Sequence, residues 1–139
     1  MARERETPEW LVNLMREENG FDAKLIFEKE LTESDVAKHQ GRLLIPLNMI
    51  VDREFLNEEE LNIIEQHYNG THVEGVGVTL VDSEGQQWDL NLRRWSMKNI
   101  VYYVLVSGWN NVVVDKRLRS GQTIRLWSFH TPHGLYFAM

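Results

Sequence analysis

From Val76 onward the chain is written in short alternating runs, and this pattern restricts its possible folds more than any other feature. Val76, Val78 and Leu80 alternate with small or polar residues up to the turn Asp82-Ser83-Glu84-Gly85. Trp88, Leu90 and Leu92 then alternate with Asp89, Asn91 and Arg93. Side chains of a strand point to opposite faces in turn, so a period of two marks a sheet with one face in a core. Tyr102 to Val106, Thr123 to Phe129 and Leu135 to Phe137 read as further strands, separated by Ser107-Gly108, Ser120-Gly121 and Thr131-Pro132-His133-Gly134. Upstream, Leu25-Ile26-Phe27 and Leu43-Leu44-Ile45-Pro46 add two more, the second closed by its proline. About seven short strands with turns at close intervals predict a mostly β barrel or sandwich.

Short helices are expected between them. Thr7-Pro8-Glu9 opens one as cap, proline and first-turn acid, and Asn19-Gly20 closes it. Its stripe Trp10, Leu11, Leu14 and Met15 is expected to pack on the barrel, so residues 1–22 form a helical extension and residues 23–139 the domain proper. Thr32-Glu33-Ser34-Asp35 resembles a capping box and starts a helix to about Lys38. Asn57-Glu58-Glu59-Glu60 starts another, through Leu61, Ile63 and Ile64 to about His67, with Asn69-Gly70 as its stop. Asn110 to Arg117 is expected to be helical, with Val113 and Leu118 inward.

Most chemistry is excluded by what the chain lacks. Cysteine is absent, so no disulfide, thiolate metal site or cysteine nucleophile can form. His130 and His133 are the one close histidine pair, and Pro132 between them with no third ligand argues for a turn rather than zinc. Gly75-Val76-Gly77 lacks the third glycine and the Gly-Lys of a phosphate loop, and reads instead as close backbone approach before a strand. Asn69-Gly70-Thr71 matches a glycosylation sequon without a secretory signal to make use of it. Glu58 to Glu60 favour a helix dipole and are not paired as acid and base. The reading is therefore no enzyme, no cofactor and no metal. No run reaches the roughly 18 apolar residues of a membrane span, and a soluble intracellular protein is expected.

The formal net charge is −6, but it is unevenly placed. Residues 1–35 carry 5 basic and 10 acidic side chains, and residues 52–75 carry Arg53 against 7 acids. Residues 36–51 carry Lys38 and Arg42 with no acid, and residues 76–139 carry 7 basic and 4 acidic side chains. Affinity for phosphate depends on where charge sits, so an acidic total does not exclude DNA. Two stretches read as basic loops: Lys38-His39-Gln40-Gly41-Arg42, and Arg93-Arg94-Trp95-Ser96-Met97-Lys98-Asn99. Arg and Lys neutralise phosphates or reach guanine, and Asn and Gln pair with adenine. On spacing alone, a solvated charged loop is the better account of both.

These loops sit in a longer pattern that resembles the plant-specific B3 DNA-binding domain. The pattern begins with Phe27-x-Lys29-x-Leu31-Thr32-x-Ser34-Asp35-Val36 and Gly41-Arg42-Leu43-Leu44-Ile45-Pro46. It resumes at Val81-Asp82, Trp88 and Arg93-Arg94-Trp95, then Tyr103-Val104-Leu105-Val106-Ser107-Gly108-Trp109 and Leu118-Arg119-Ser120-Gly121-Gln122. Leu90-Asn91-Leu92-Arg93-Arg94-Trp95 and Leu126-Trp127-Ser128-Phe129 are similar to a divergent plant subgroup first catalogued as a domain of unknown function. The resemblance implies an open seven-stranded pseudobarrel that grips the major groove of double-stranded DNA with two arms. Carried over by position, the arms are Lys38, His39, Gln40, Gly41 and Arg42, and then Arg93, Arg94, Ser96, Met97, Lys98 and Asn99, with Trp95 as a packing anchor. The cations would hold phosphates and guanines, and His39, Gln40, Ser96 and Asn99 would refine the readout. The two arms are expected side by side on one rim of the barrel. Four or five neutralised phosphates would give a log–log salt slope of about −4.

The same resemblance implies transcriptional regulation in the nucleus. Ile100 and Val101 stand where well-studied branches carry polar or basic residues; they cannot hydrogen-bond a base edge but can touch a thymine methyl. The acidic helix reads as an insertion between the second and third strands. The alternative is a B3-like protein-interaction module with little DNA affinity. It would meet other regulatory proteins through the N-terminal helix or the acidic one.

Overall fold

The computed structural model describes residues 6–68 and 75–139. The expected helix stop Asn69-Gly70, the sequon at Asn69 and His72 lie outside these residues. Seven strands form one sheet: β1 (Phe21–Glu30), β2 (Leu43–Pro46), β3 (Val76–Val81), β4 (Gln87–Met97), β5 (Ile100–Val106), β6 (Thr123–Thr131) and β7 (Gly134–Ala138). Their spatial order is β1-β6-β7-β3-β4-β5-β2, antiparallel throughout except for the parallel pair β3–β7. The sheet is open, because β1 and β2 are its two edges. Among the described residues, α1 (Glu9–Glu18) precedes β1, and α2 (Glu33–Val36), α3 (Glu58–Tyr68) and α4 (Trp109–Lys116) are set into the connections between strands.

The two faces of the sheet have different fates. The inner face of every strand feeds one core, with Phe27, Leu43, Ile45, Leu80, Leu92, Leu105, Leu126 and Phe137 all buried. A second core lies outside β6 and β7, where Leu11 and Leu14 of α1 meet Trp127, Phe129, Tyr136 and Ala138. That explains why β6 and β7 are apolar on alternate and intervening positions alike: a strand covered on both sides loses its polar phase. Leu11 and Leu14 of the α1 stripe are buried in this packing, with Trp10 and Met15 partly buried against it. Asn19 ends α1 in the left-handed conformation, at φ 58°. A Cβ on the next residue, Gly20, would stand 2.6 Å from the Phe129 ring, so only glycine lets the chain turn this close to the core. β1 then begins at Phe21, inside the segment expected to be an extension.

The capping boxes read from sequence are present. In α2, the Thr32 N–H donates to Asp35 Oδ2 at 2.9 Å and the Asp35 N–H donates to Thr32 Oγ1 at 3.3 Å. In α3, Asn57 and Glu60 exchange two such bonds of 2.8 Å. Glu60 is buried and also meets His130 Nε2 at 2.8 Å, which ties α3 to β6. His130 therefore has a carboxylate for a partner, and His133 is exposed in the turn after β6. Of the two glycines expected to allow close approach, Gly75 does so, since a Cβ there would overlap the Leu92 carbonyl. Gly77 has open space around it.

Candidate nucleic-acid interface

The segment after α2 is built on a buried ion cluster. Asp35 is 1% exposed, and its carboxylate lies 2.8 Å from Lys29 Nζ and 3.7 Å from the Arg42 guanidinium. Lys29 also donates to the Leu44 carbonyl at 2.6 Å, and Arg42 donates to the Ser34 carbonyl at 3.2 Å. Trp109 Nε1 donates to the backbone carbonyl of Asp35 at 2.8 Å from the other side. A buried carboxylate is tolerable only with such partners, and they in turn fix where the chain leaves α2. Asn110 Nδ2 then donates to the Lys38 carbonyl at 2.9 Å, and Gly41 turns the chain at φ 61°. Lys38, His39 and Gln40 are left exposed on a rigid base, while Arg42 is half-buried and engaged with that base.

The second segment is not a loop. β4 runs through Met97 and β5 starts at Ile100, so residues 93–97 are strand and only Lys98 and Asn99 form the turn. Both have positive φ, 50° and 65°, as a two-residue type I′ hairpin requires. The sequence signal was weak because the pair is Lys-Asn and not Asn-Gly. Strand geometry then separates the consecutive arginines, since neighbours on a strand face opposite ways. Arg93 lies on the outer face, with its Nε donating to Asn91 Oδ1 at 2.8 Å. Arg94 lies on the inner face, donates to the Tyr103 hydroxyl, and stacks its guanidinium 5.0 Å from the centre of that ring. Ser96, Met97, Lys98 and Asn99 are exposed at the hairpin end, and Trp95 is half-buried opposite Tyr102.

The sheet sets the start of the second segment level with the first, since Arg93 and Leu44 both pair with Val104, and carries its turn away along β5. The expected single rim therefore holds only Arg93 and Arg94 beside residues 38–42. β2 pairs with β5 from Leu43 opposite Leu105 to Pro46 opposite Tyr102. Residues 38–42 therefore enter at the far end of β5, and the hairpin turn stands at its start. Leu105 and Ile100 are about 17 Å apart along a strand rising about 3.3 Å per residue. Helix α3 packs on β3 and β4 and leaves the turn uncovered. Among the described residues, Lys38, Arg93 and Lys98 have no carboxylate within ion-pair distance, as is also true of Arg16, Arg53, Arg117 and Arg119 elsewhere on the surface, whereas Lys116 is paired with Asp82 and Arg125 with Glu28. No group of three histidine, aspartate or glutamate side chains that could hold a metal occurs among the described residues. Sequence reasoning missed Asp35, Trp109 and Asn110 as supports of the first segment; the capping box pointed to Asp35, but only as a helix cap.

Comparison with known proteins fits this architecture. The chain is 48% identical over 137 residues to the B3 domain-containing protein At2g31720 of Arabidopsis thaliana, covering 97% of this chain and 44% of that protein. It is 49% identical over 137 residues to At2g24670 of the same plant, covering 96% of this chain and 55% of that one. The chain thus spans about half the length of the curated relatives it matches. Among solved structures it resembles the Arabidopsis FUS3–DNA complex, with a TM-score of 0.51 and 21% identity over 83% of this chain and 95% of that one. It also resembles the complex of the Arabidopsis thaliana transcription factor LEC2 with DNA, with a TM-score of 0.50 and 21% identity over 84% and 92% of the two chains. At that identity the likeness concerns the fold. Residues 3–139 match the sequence profile of the B3 domain-containing protein At2g31720-like family, and the chain belongs to that family.

Proposed function

We propose that this chain binds duplex DNA with sequence preference, as the DNA-reading part of a plant transcriptional regulator that works in the nucleus. The observation that carries the reading is the pairing of β2 with β5. It joins two acid-free stretches, 36–51 and 90–114, that are far apart in sequence, and it does so at an open edge of the sheet. Lys38 then stands beside that edge, Arg93 on the outer face of β4 and Lys98 at the hairpin end, without carboxylate partners among the described residues. A two-stranded ribbon fits the B-DNA major groove, which is about 12 Å wide. With the hairpin in the groove, the segment at 38–42, about 17 Å away along β5, would meet the phosphates on one flank. The structural resemblance to FUS3 and LEC2, each solved as a DNA complex, supports DNA as the partner.

Arg42 and Arg94, first assigned to DNA, are engaged within the protein and would act chiefly by holding the arms in shape. Three available cations, each contributing about −0.9, lower the expected salt slope to about −3. His39, Gln40, Ser96 and Asn99 are the exposed hydrogen-bonding groups left for base readout. Selection from a random duplex library at low salt tests the reading, followed by affinity measured against salt on the selected site. Enrichment of one motif with a slope near −3 is the expected result. Recovery of no duplex, or an affinity indifferent to salt, would overturn it in favour of an interaction module.

A further inference from the structure

Resting on that reading, we infer that the hairpin end recognises thymine through its methyl group, with Met97 and Ile100 as the specificity-determining pair. These two residues are cross-strand partners on either side of the Lys98-Asn99 turn, and they are 39% and 50% exposed. Directly behind them on the same face lie Trp95 and Tyr102, also cross-strand partners and half-buried. Val101 pairs with Ser96 on the opposite face, so it is not part of the strip.

A single exposed apolar side chain on a protein surface is ordinary. Paired across the hairpin end, the two gain modest contact energy from each other, but they keep 39% and 50% of their surface in water, apolar area that a ligand can still bury. The pair is set between cations, with Lys98 in the turn and Arg93 two positions behind Trp95, and no carboxylate occurs in residues 90–114. This charge suits a polyanion. The apolar group a major groove offers is the C5 methyl of thymine. A neutral protein partner would fit the apolar strip but would leave its cationic surround without a role; an acidic one would use both, but its binding would carry no dependence on a thymine methyl.

The test starts from the duplex recovered by site selection and replaces its thymines one at a time with deoxyuridine. Deoxyuridine keeps every hydrogen-bonding group and loses only the methyl. At one or two positions the replacement should weaken binding about four-fold, the loss expected from exposing one methyl-sized group. In the double variant M97A/I100A, the thymine and uracil duplexes should bind alike while the salt slope stays unchanged. Uracil tolerated at every position, or a penalty undiminished in the double variant, overturns the inference and leaves DNA binding standing. If the double variant instead alters sedimentation of the free protein and not its DNA affinity, the strip is a self-association surface and the inference fails. Absence of any bound duplex removes both readings together.

Discussion

At one end of the sheet, Trp127 and Phe129 of β6 and Tyr136 and Ala138 of β7 point outward and are buried beneath α1. At the other end, the outward positions of β4 are Asp89, Asn91, Arg93, Trp95 and Met97, all exposed or half-buried. The strands are equally regular, and what differs is whether a helix covers them. The covered end converts both faces into stability. The open end keeps one face for the core and leaves the other to interact, at the cost of standing on a few buried polar anchors such as Asp35. Stability and binding should therefore respond to substitutions at different places.

The sharpest test lies beneath the open end. Asp35→Ala removes the partner of Lys29 and Arg42 and leaves two cations poorly compensated, for an expected loss of about 3–5 kcal/mol in urea denaturation. A loss below about 1 kcal/mol would mean that the cluster is a passive feature of the segment rather than its support. At the covered end, Leu11→Ala empties a site at 0% exposure and should cost about 2–5 kcal/mol. DNA affinity per folded molecule should be unchanged by it; a change would break the separation of the two ends.

A smaller effect is expected between them, at the β3–β4 turn. Burial alone would raise the pKa of Asp82, but the Lys116 ammonium and the backbone N–H groups of Gln86 and Glu84 outweigh it and hold the carboxyl below its ordinary value of 3.8. A depressed folded-state pKa stabilises the fold above the unfolded value, and that contribution fades as pH falls through the folded one. The advantage of the wild type over Asp82→Asn should therefore be full at neutral pH and shrink below about pH 4 in thermal melts. An advantage that persisted unchanged into acid would exclude the ion pair as its source. The smallest stability effect belongs to Lys98→Ala, within about 0.5 kcal/mol because the side chain is exposed. Its DNA affinity should nonetheless fall, and the salt slope should lose about one unit. Equal affinities would remove Lys98 from the proposed interface.

Much of this protein was legible in local pattern. The alternation of Trp88, Leu90 and Leu92, the turn at Asp82, and the caps at Thr32 and Asn57 are each decided by residues within one or two turns of chain. The doubled burial of β6 and β7 was visible only as a lack of alternation, because the helix that causes it is more than a hundred residues away. At 93–99 the sequence suggested a loop because Lys-Asn is an unusual hairpin turn. With the strand unrecognised, nothing separated Arg93 from Arg94.

The sequence by itself determined most of the strands, though not the hairpin end at 93–97, together with the helix caps and the acid-free stretches, since those follow from propensity, period and composition along the chain. Tertiary structure alone decided which cations are available. It turned Arg42 toward Asp35 and Arg94 toward Tyr103, left Lys38, Arg93 and Lys98 outside any ion pair among the described residues, and set the Lys98-Asn99 turn at the end of β5 away from residues 38–42. The physical reason is that a charge is free or spent according to its neighbours across the sheet, and strand register, not sequence distance, chooses those neighbours.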